Sequence, residues 1–195
     1  MAESNARGSA HPTKRYPTIA ACGLDCGLCP RYYTAGPSRC PGCAGPGFFD
    51  KHPGCSFITC CVRDRQLEAC GECADFPCAK FKTAEERAQV PESTSYPIYA
   101  HAWPNLWFIR EHGIDDFVQR QAGRTRVLEA MLNEFDDGRS KSFFCKAAGT
   151  YEVQTLRTAI TRARRTIASH RIDPADRKGR ATVLKTLIQA LSRPE

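Results

Sequence analysis

No apolar run in this 195-residue sequence approaches the ~20 residues that a membrane-spanning helix needs. The opening stretch MAESNARGSAHPTKRYP holds no hydrophobic segment either, so no secretory leader is expected, and the chain is predicted to be cytoplasmic with no membrane partner. Phosphate-cradling loops are missing as well: GPGFF at 45–49 is glycine-containing but lacks the Lys and Ser/Thr that such a loop requires. No Ser, His and Asp set points to a hydrolase. Runs of β-branched apolar residues are scarce, which argues against alternating strands and helices.

What the sequence has in abundance is cysteine. Eleven of its twelve cysteines fall between Cys22 and Cys78, and only Cys145 lies outside. In a reducing compartment such clusters bind metal more often than they form disulfides. The same stretch is rich in Gly and Pro (GLDCGLCP, AGPSRCPGCAGPG, KHPGC) and poor in large apolar side chains. A segment of that composition buries too little to fold unaided, so a metal is expected to supply the missing cross-links.

The chain therefore divides by composition into a mobile polar tail at 1–17, a cysteine-rich metal-binding region at 18–82, and a helical region at 83–195. The expected fold class is mainly α, with a small irregular metal-stapled cysteine-rich region and a helical C-terminal half. Ile114 to about Phe135 predicts a long helix, with Asp115 and Asp116 near its positive end and Gly123 as a weak point. PNLWFIREHG predicts a short helix stopped at Gly113. Before it, VPESTSYPIYAHAWP, with three prolines, predicts an ordered loop. Val153, Leu156, Ile160, Ala163 and Ile167 step by three and four, one face of an amphipathic helix. In RIDPADRKGR, Asp173 is placed to cap the next helix and Pro174 to fill its first turn. That helix carries Val183, Leu184, Leu187, Ile188 and Leu191, so the two should form a hairpin. Residues 151–195 hold ten Lys/Arg against four Asp/Glu, which makes the hairpin basic. A positive face can attract an acidic protein or nucleic acid. Against nucleic acid, Tyr151 is the only aromatic there on which a base could stack.

Metal sites need several soft ligands close together, and two residues between cysteines let one tight turn aim both thiolates at one ion. Cys26/Cys29, Cys40/Cys43 and Cys70/Cys73 have that spacing. The first two pairs make one four-thiolate set; Cys55, Cys60, Cys70 and Cys73 make another. Cys22 and Cys78 stand as fifth candidates at either end. Crossed connectivities remain open. Cys61, beside Cys60, reads as a bystander, and His52 could replace a thiolate in a mixed site. Two zinc ions are the first expectation, an iron–sulfur cluster the alternative. The triplet CGLDCGLC has the cysteine spacing of radical-SAM enzymes, whose strand-and-helix context is absent downstream.

Taken together, CGLDCGLCPRYYT at 22–34, CPGC at 40–43, Cys55 and Cys60, and CGECADFPCAKF at 70–81 resemble the cysteine-rich DUF3795 family of unknown function. LEAMLNEFDDGRSKSFFC at 128–145 is similar to its continuation in longer members. The resemblance implies a metal-binding fold, with zinc as the assumed metal, and no known activity. The Cys60-Cys61 doublet departs from the single cysteine of the family.

In GRSKSFFC, Arg139, Ser140 and Lys141 could line an anion site at a helix start. Cys145 could be a nucleophile, a distant ligand or, with Phe143 and Phe144 beside it, a packing residue. The leading expectation is a metal-binding protein that acts through an unidentified protein partner. Its rivals are an iron–sulfur or thiol-redox protein, perhaps an enzyme, and a nucleic-acid binder using the basic helices.

Overall fold

The computed structural model describes residues 11–52, 54–81 and 98–191. It is mainly α. Among the described residues there are five α-helices and no strand, only an isolated antiparallel bridge between Ile19 and Asp25. The helices are α1 (Ile98–His112), α2 (Ile114–Phe135), α3 (Lys141–Thr150), α4 (Val153–Ser169) and α5 (Arg177–Ala190). The cysteine-rich region is irregular, with 3-10 turns at Cys26–Leu28 and Cys70–Glu72 and a wide-turned π-helical stretch at Ile58–Asp64.

The side chains sort into two cores. Helices α2 to α5 bury Leu128, Met131, Phe135, Phe144, Leu156, Ile160, Leu184 and Ile188 around one centre. The second core joins the cysteine-rich region to α1 and the start of α2 through Ile19, Ile58, Phe76, Leu106, Ile109 and Phe117. Since the thiol region has few large apolar residues of its own, it borrows Leu106 and Ile109 from a helix far along the chain.

Helix α2 has the predicted limits. Gly113 links it to α1 with φ +87° and ψ 165°, a conformation open essentially to glycine alone, and its N–H closes α1 on the Ile109 carbonyl at 2.8 Å. Asp115 and Asp116 lie in the first turn. Gly123 does not break the helix. The predicted hairpin is present: Leu156, Ile160 and Ala163 of α4 and Ala181, Leu184 and Ile188 of α5 are buried, and the two helices pack together.

Three expectations change. The proline-rich loop expected before α1 is helical from Ile98 onward, with Pro104 inside the helix; residues 90–97 lie outside the described residues. Pro104 removes one helical N–H, and burial of Leu106 and Ile109 just beyond it offsets the loss. Helix α5 starts three residues later than expected. Asp173 and Pro174 are consumed in a turn closed by Asp176 N–H on the Asp173 carbonyl (2.9 Å), and Asp176 caps the helix by accepting from Gly179 N–H at 2.8 Å. Finally, the end of the expected tail is pinned. Lys14 is buried and its ammonium donates to the carbonyls of Ile19 and Glu68, while the Arg15 and Tyr16 N–H groups donate to the Glu68 carboxylate at 2.8 and 2.9 Å. Residues 1–10 of that tail lie outside the described residues.

Candidate metal centre

The thiol region is held by backbone bonds that reach across the sequence. Cys43 N–H donates to the Pro17 carbonyl at 2.7 Å, Gly27 N–H to Thr18 at 2.8 Å, and Cys70 N–H to Ala21 at 2.9 Å. Residues 17–27 are thus a hub onto which the CPGC and CGEC segments fold. Gly23, within CGLDC, has φ +87° and lies against α1, where its carbonyl accepts from the Asn105 side chain at 2.9 Å.

All twelve cysteines are free thiols. Their grouping follows this hub. Burial pushes the Cys26 thiol well above its ordinary range, and Cys43 and Cys22 lie near enough to raise it further. Burial likewise raises Cys22, with Cys55 and Cys70 adding to it, and pushes Cys43 up to about 11, with Cys22 and Cys55 contributing. Cys22, Cys26, Cys43 and Cys55 are thus linked through one another, with Cys29 bordering them beside Cys26 and Cys70 beside Cys22. Opposing that burial, neighbouring main-chain dipoles pull these thiols back down. The backbone at Leu24 acts so on Cys22, that of Cys43 on Cys26, that of Ala21 on Cys43, and that of Arg31 and Tyr32 on Cys29. Such interactions favour the thiolate, the form that ligates metal.

The remaining cysteines fall into smaller sets. Cys29 neighbours Cys40, whose Sγ lies 3.6 Å from His52 Nε2; the imidazole is stacked on Phe48 with centroids 4.4 Å apart. Burial holds the His52 ring below its ordinary pKa, keeping it neutral as a ligand must be. Arg65 donates to Cys73 Sγ at 2.9 Å, bonds Cys60, and pairs with Asp75 at 2.6 Å. A contact with Cys61 and burial together raise the Cys70 thiol, and Cys61 Sγ donates to the Leu67 carbonyl at 3.5 Å. The half-buried Cys78 lies where the chain turns back, its carbonyl accepting from Phe81 N–H at 2.9 Å.

Sequence spacing had joined Cys26 and Cys29 to Cys40 and Cys43. In the structure Cys26 lies near Cys43, Cys22 and Cys29, and Cys29 near Cys40, so the four remain linked while Cys22 joins them. Cys55 lies near enough to Cys22 and Cys43 to raise both. Cys61, read from the sequence as a bystander, is the thiol in contact with Cys70. Its burial, 2% exposed, against a half-buried Cys60 marks the difference, and the doublet alone gave no signal for it. The donor chemistry fits a thiophilic metal, while among the described residues no three Cys, His, Asp or Glu groups converge at coordination spacing.

Two other expectations can be placed. Cys145 is buried in the helical core, where burial and the nearby Cys29 push its thiol up to about 12, a setting that suits packing rather than nucleophilic attack. The stretch expected to line an anion site is used internally: Ser140 is buried and its Oγ donates to Asp137 at 2.6 Å, while Lys141 Nζ donates to the Tyr33 carbonyl at 3.0 Å.

Asp25, inside the CGLDC motif, was not singled out from the sequence. It is 3% exposed, accepts from Leu28 N–H and the Gln121 amide, and sits near the Arg124 guanidinium; burial nonetheless pushes its carboxyl up to about 7. A carboxylate among thiols could have drawn attention, but its partners lie about a hundred positions away.

No curated protein matches this chain. No solved structure matches it either. The family match covers the thiol hub and stops short of α1, leaving 128–145 outside it. Residues 18–83, with their order of cysteines, match the model of a family described as a protein of unknown function, DUF3795.

Proposed function

We propose that the cysteine-rich segment binds zinc through thiolates, and that the folded chain then acts by holding a protein partner. The observation that carries the first part is the set of free thiols gathered on one hub, with the surrounding backbone favouring their thiolate forms. Cys22, Cys26, Cys43 and Cys55 would hold one ion. Cys29 and Cys40 would start a second set with His52, and Cys60, Cys70, Cys73 and Cys78 complete the candidates. Bound zinc supplies cross-links to a region with little apolar surface. Supporting the second part, Arg157, Arg162 and Arg165 are exposed on α4, a positive surface suited to an acidic protein.

Metal analysis and a visible spectrum of protein purified with and without oxygen test the reading. A colourless protein with about two zinc ions is expected. Iron with acid-labile sulfide and a brown colour would overturn zinc, and a metal-free chain that stays folded would overturn metal binding altogether. Cys26→Ser should lower the zinc content and loosen the hub.

A further inference from the structure

Beside the thiol hub, and separate from it in chemistry, a cavity of about 90 Å³ lies between α1, α2 and the end of α3. Asp25, His101, Asn105, Arg120, Gln121 and Arg124 line it. Its inner wall holds acceptors. Gln121 is 9% exposed, donates its amide N–H to the Asp25 carboxylate, and leaves Oε1 buried with no hydrogen-bond partner. A buried unpaired acceptor is disfavoured unless something donates to it, and the volume admits a few waters or one small organic molecule.

The charges around these acceptors narrow what that molecule is. Arg124 is largely committed, its Nη1 donating to the carbonyls of Ala148 (2.7 Å), Gly149 (3.3 Å) and Tyr151 (3.0 Å), but its charge faces Asp25. Arg120 is exposed at the mouth, with its guanidinium 4.8 Å from the Phe108 ring centre. Burial and these two arginines keep His101 neutral. Two acceptors side by side ask for two donors from one group; a hydroxyl offers one and an ammonium three. Two arginines repel a bare cation, so the ligand must bring an anion to the mouth.

We propose that this cavity binds a small α-amino acid of glycine or alanine size, with its ammonium group on Asp25 and Gln121 Oε1 and its carboxylate at Arg120. The ligand is zwitterionic, and so is the wall, acceptors inside and cation outside. The ligand touches no thiol, although Asp25 belongs to the CGLDC segment and is held in place with it.

Calorimetric titration of the full chain with glycine and alanine, against methylamine, acetate and inorganic phosphate, tests it. Glycine and alanine are expected to bind, and methylamine and acetate to bind at least about tenfold more weakly, each lacking one end of the ligand. Amino acids also complex free metal ions, so the decisive comparison uses two variants away from the thiols. Arg120→Ala, at an exposed position, should weaken binding about tenfold with an unchanged melting temperature. Gln121→Leu should abolish binding; because it also removes the amide N–H that Asp25 accepts, its melting temperature is expected to fall, and Arg120→Ala is the variant that separates binding from stability. No heat from either amino acid, equal binding of methylamine, tighter binding of phosphate, or unaltered affinity in Arg120→Ala would each overturn the proposal and leave a water-filled cavity.

Discussion

Gly23 and Gly113 share a φ of +87° but differ in what surrounds them, and that contrast measures how firmly the thiol hub is docked on α1. At Gly113 an added Cβ meets nothing within 4 Å, so Gly113→Ala carries only the backbone penalty of a non-glycine residue there, about 1–3 kcal/mol. At Gly23 the same Cβ would collide with the Ala102 carbonyl oxygen and lie 2.7 Å from Leu106 Cγ. A backbone carbonyl inside a helix cannot swing away, and Leu106 is fully buried, so the hub must lift off α1. Overpacking of this kind adds about 1–3 kcal/mol, which places Gly23→Ala at roughly 2–6 kcal/mol in all. Urea unfolding followed by tryptophan fluorescence suits the measurement, because both tryptophans, Trp103 and Trp107, are on α1. Far-ultraviolet circular dichroism of the same samples follows the helical core. Losses for the two variants equal to within about 0.5 kcal/mol would refute the close docking of CGLDC on α1.

Other outcomes follow from the same structure. Leu128→Ala, at a fully buried position among α2 to α5, should lower the unfolding free energy by about 2–5 kcal/mol in denaturant titration. Asp176→Ala removes the cap of α5 and should cost about 1 kcal/mol, whereas Asp173→Ala should cost less, since its side chain bonds only Ala175 N–H before the helix begins; the reverse order would contradict the observed start of α5. His101 is held below its ordinary pKa by burial and by Arg124 and Arg120. The unfolded chain therefore takes up that proton first, so its contribution is present above the ordinary value near 6.5 and is lost as pH falls below it. Asp25 across the cavity titrates in the opposite sense, so the measurement is the difference between wild type and His101→Gln, and identical stability profiles from neutral to acid pH would refute the assignment.

The helices were legible because their signal is local. Phe117, Val127, Leu128, Met131 and Phe135 repeat at helical spacing, and the structure buries all five along α2. The α4–α5 hairpin was readable for the same reason. Local rules misjudged 98–104, where proline suggested a loop: what holds that stretch helical is the burial of α1 against Gly71 and Gly23, from segments far away. The neighbourhood of each thiol is set over a similar distance. Spacing gives which cysteines share a turn, but Cys43 reaches Cys26 through a bond to Pro17, and Cys70 reaches Cys22 through one to Ala21. Asp25 and Gln121 illustrate the limit most sharply, since neither is notable in its own neighbourhood and together they create an unpaired acceptor in a polar cavity.

The bond from Asn105 to the Gly23 carbonyl spans 82 positions, and that from Lys141 to Tyr33 spans 108. A ribosome adds about 5–20 residues each second. The thiols of CGLDCGLC therefore leave the exit tunnel roughly 4–16 s before the helix they rest on emerges in turn. Through that interval the sulfurs are open to cellular oxidants and competing ions, and the newborn chain is most vulnerable before its own second half arrives to cover it.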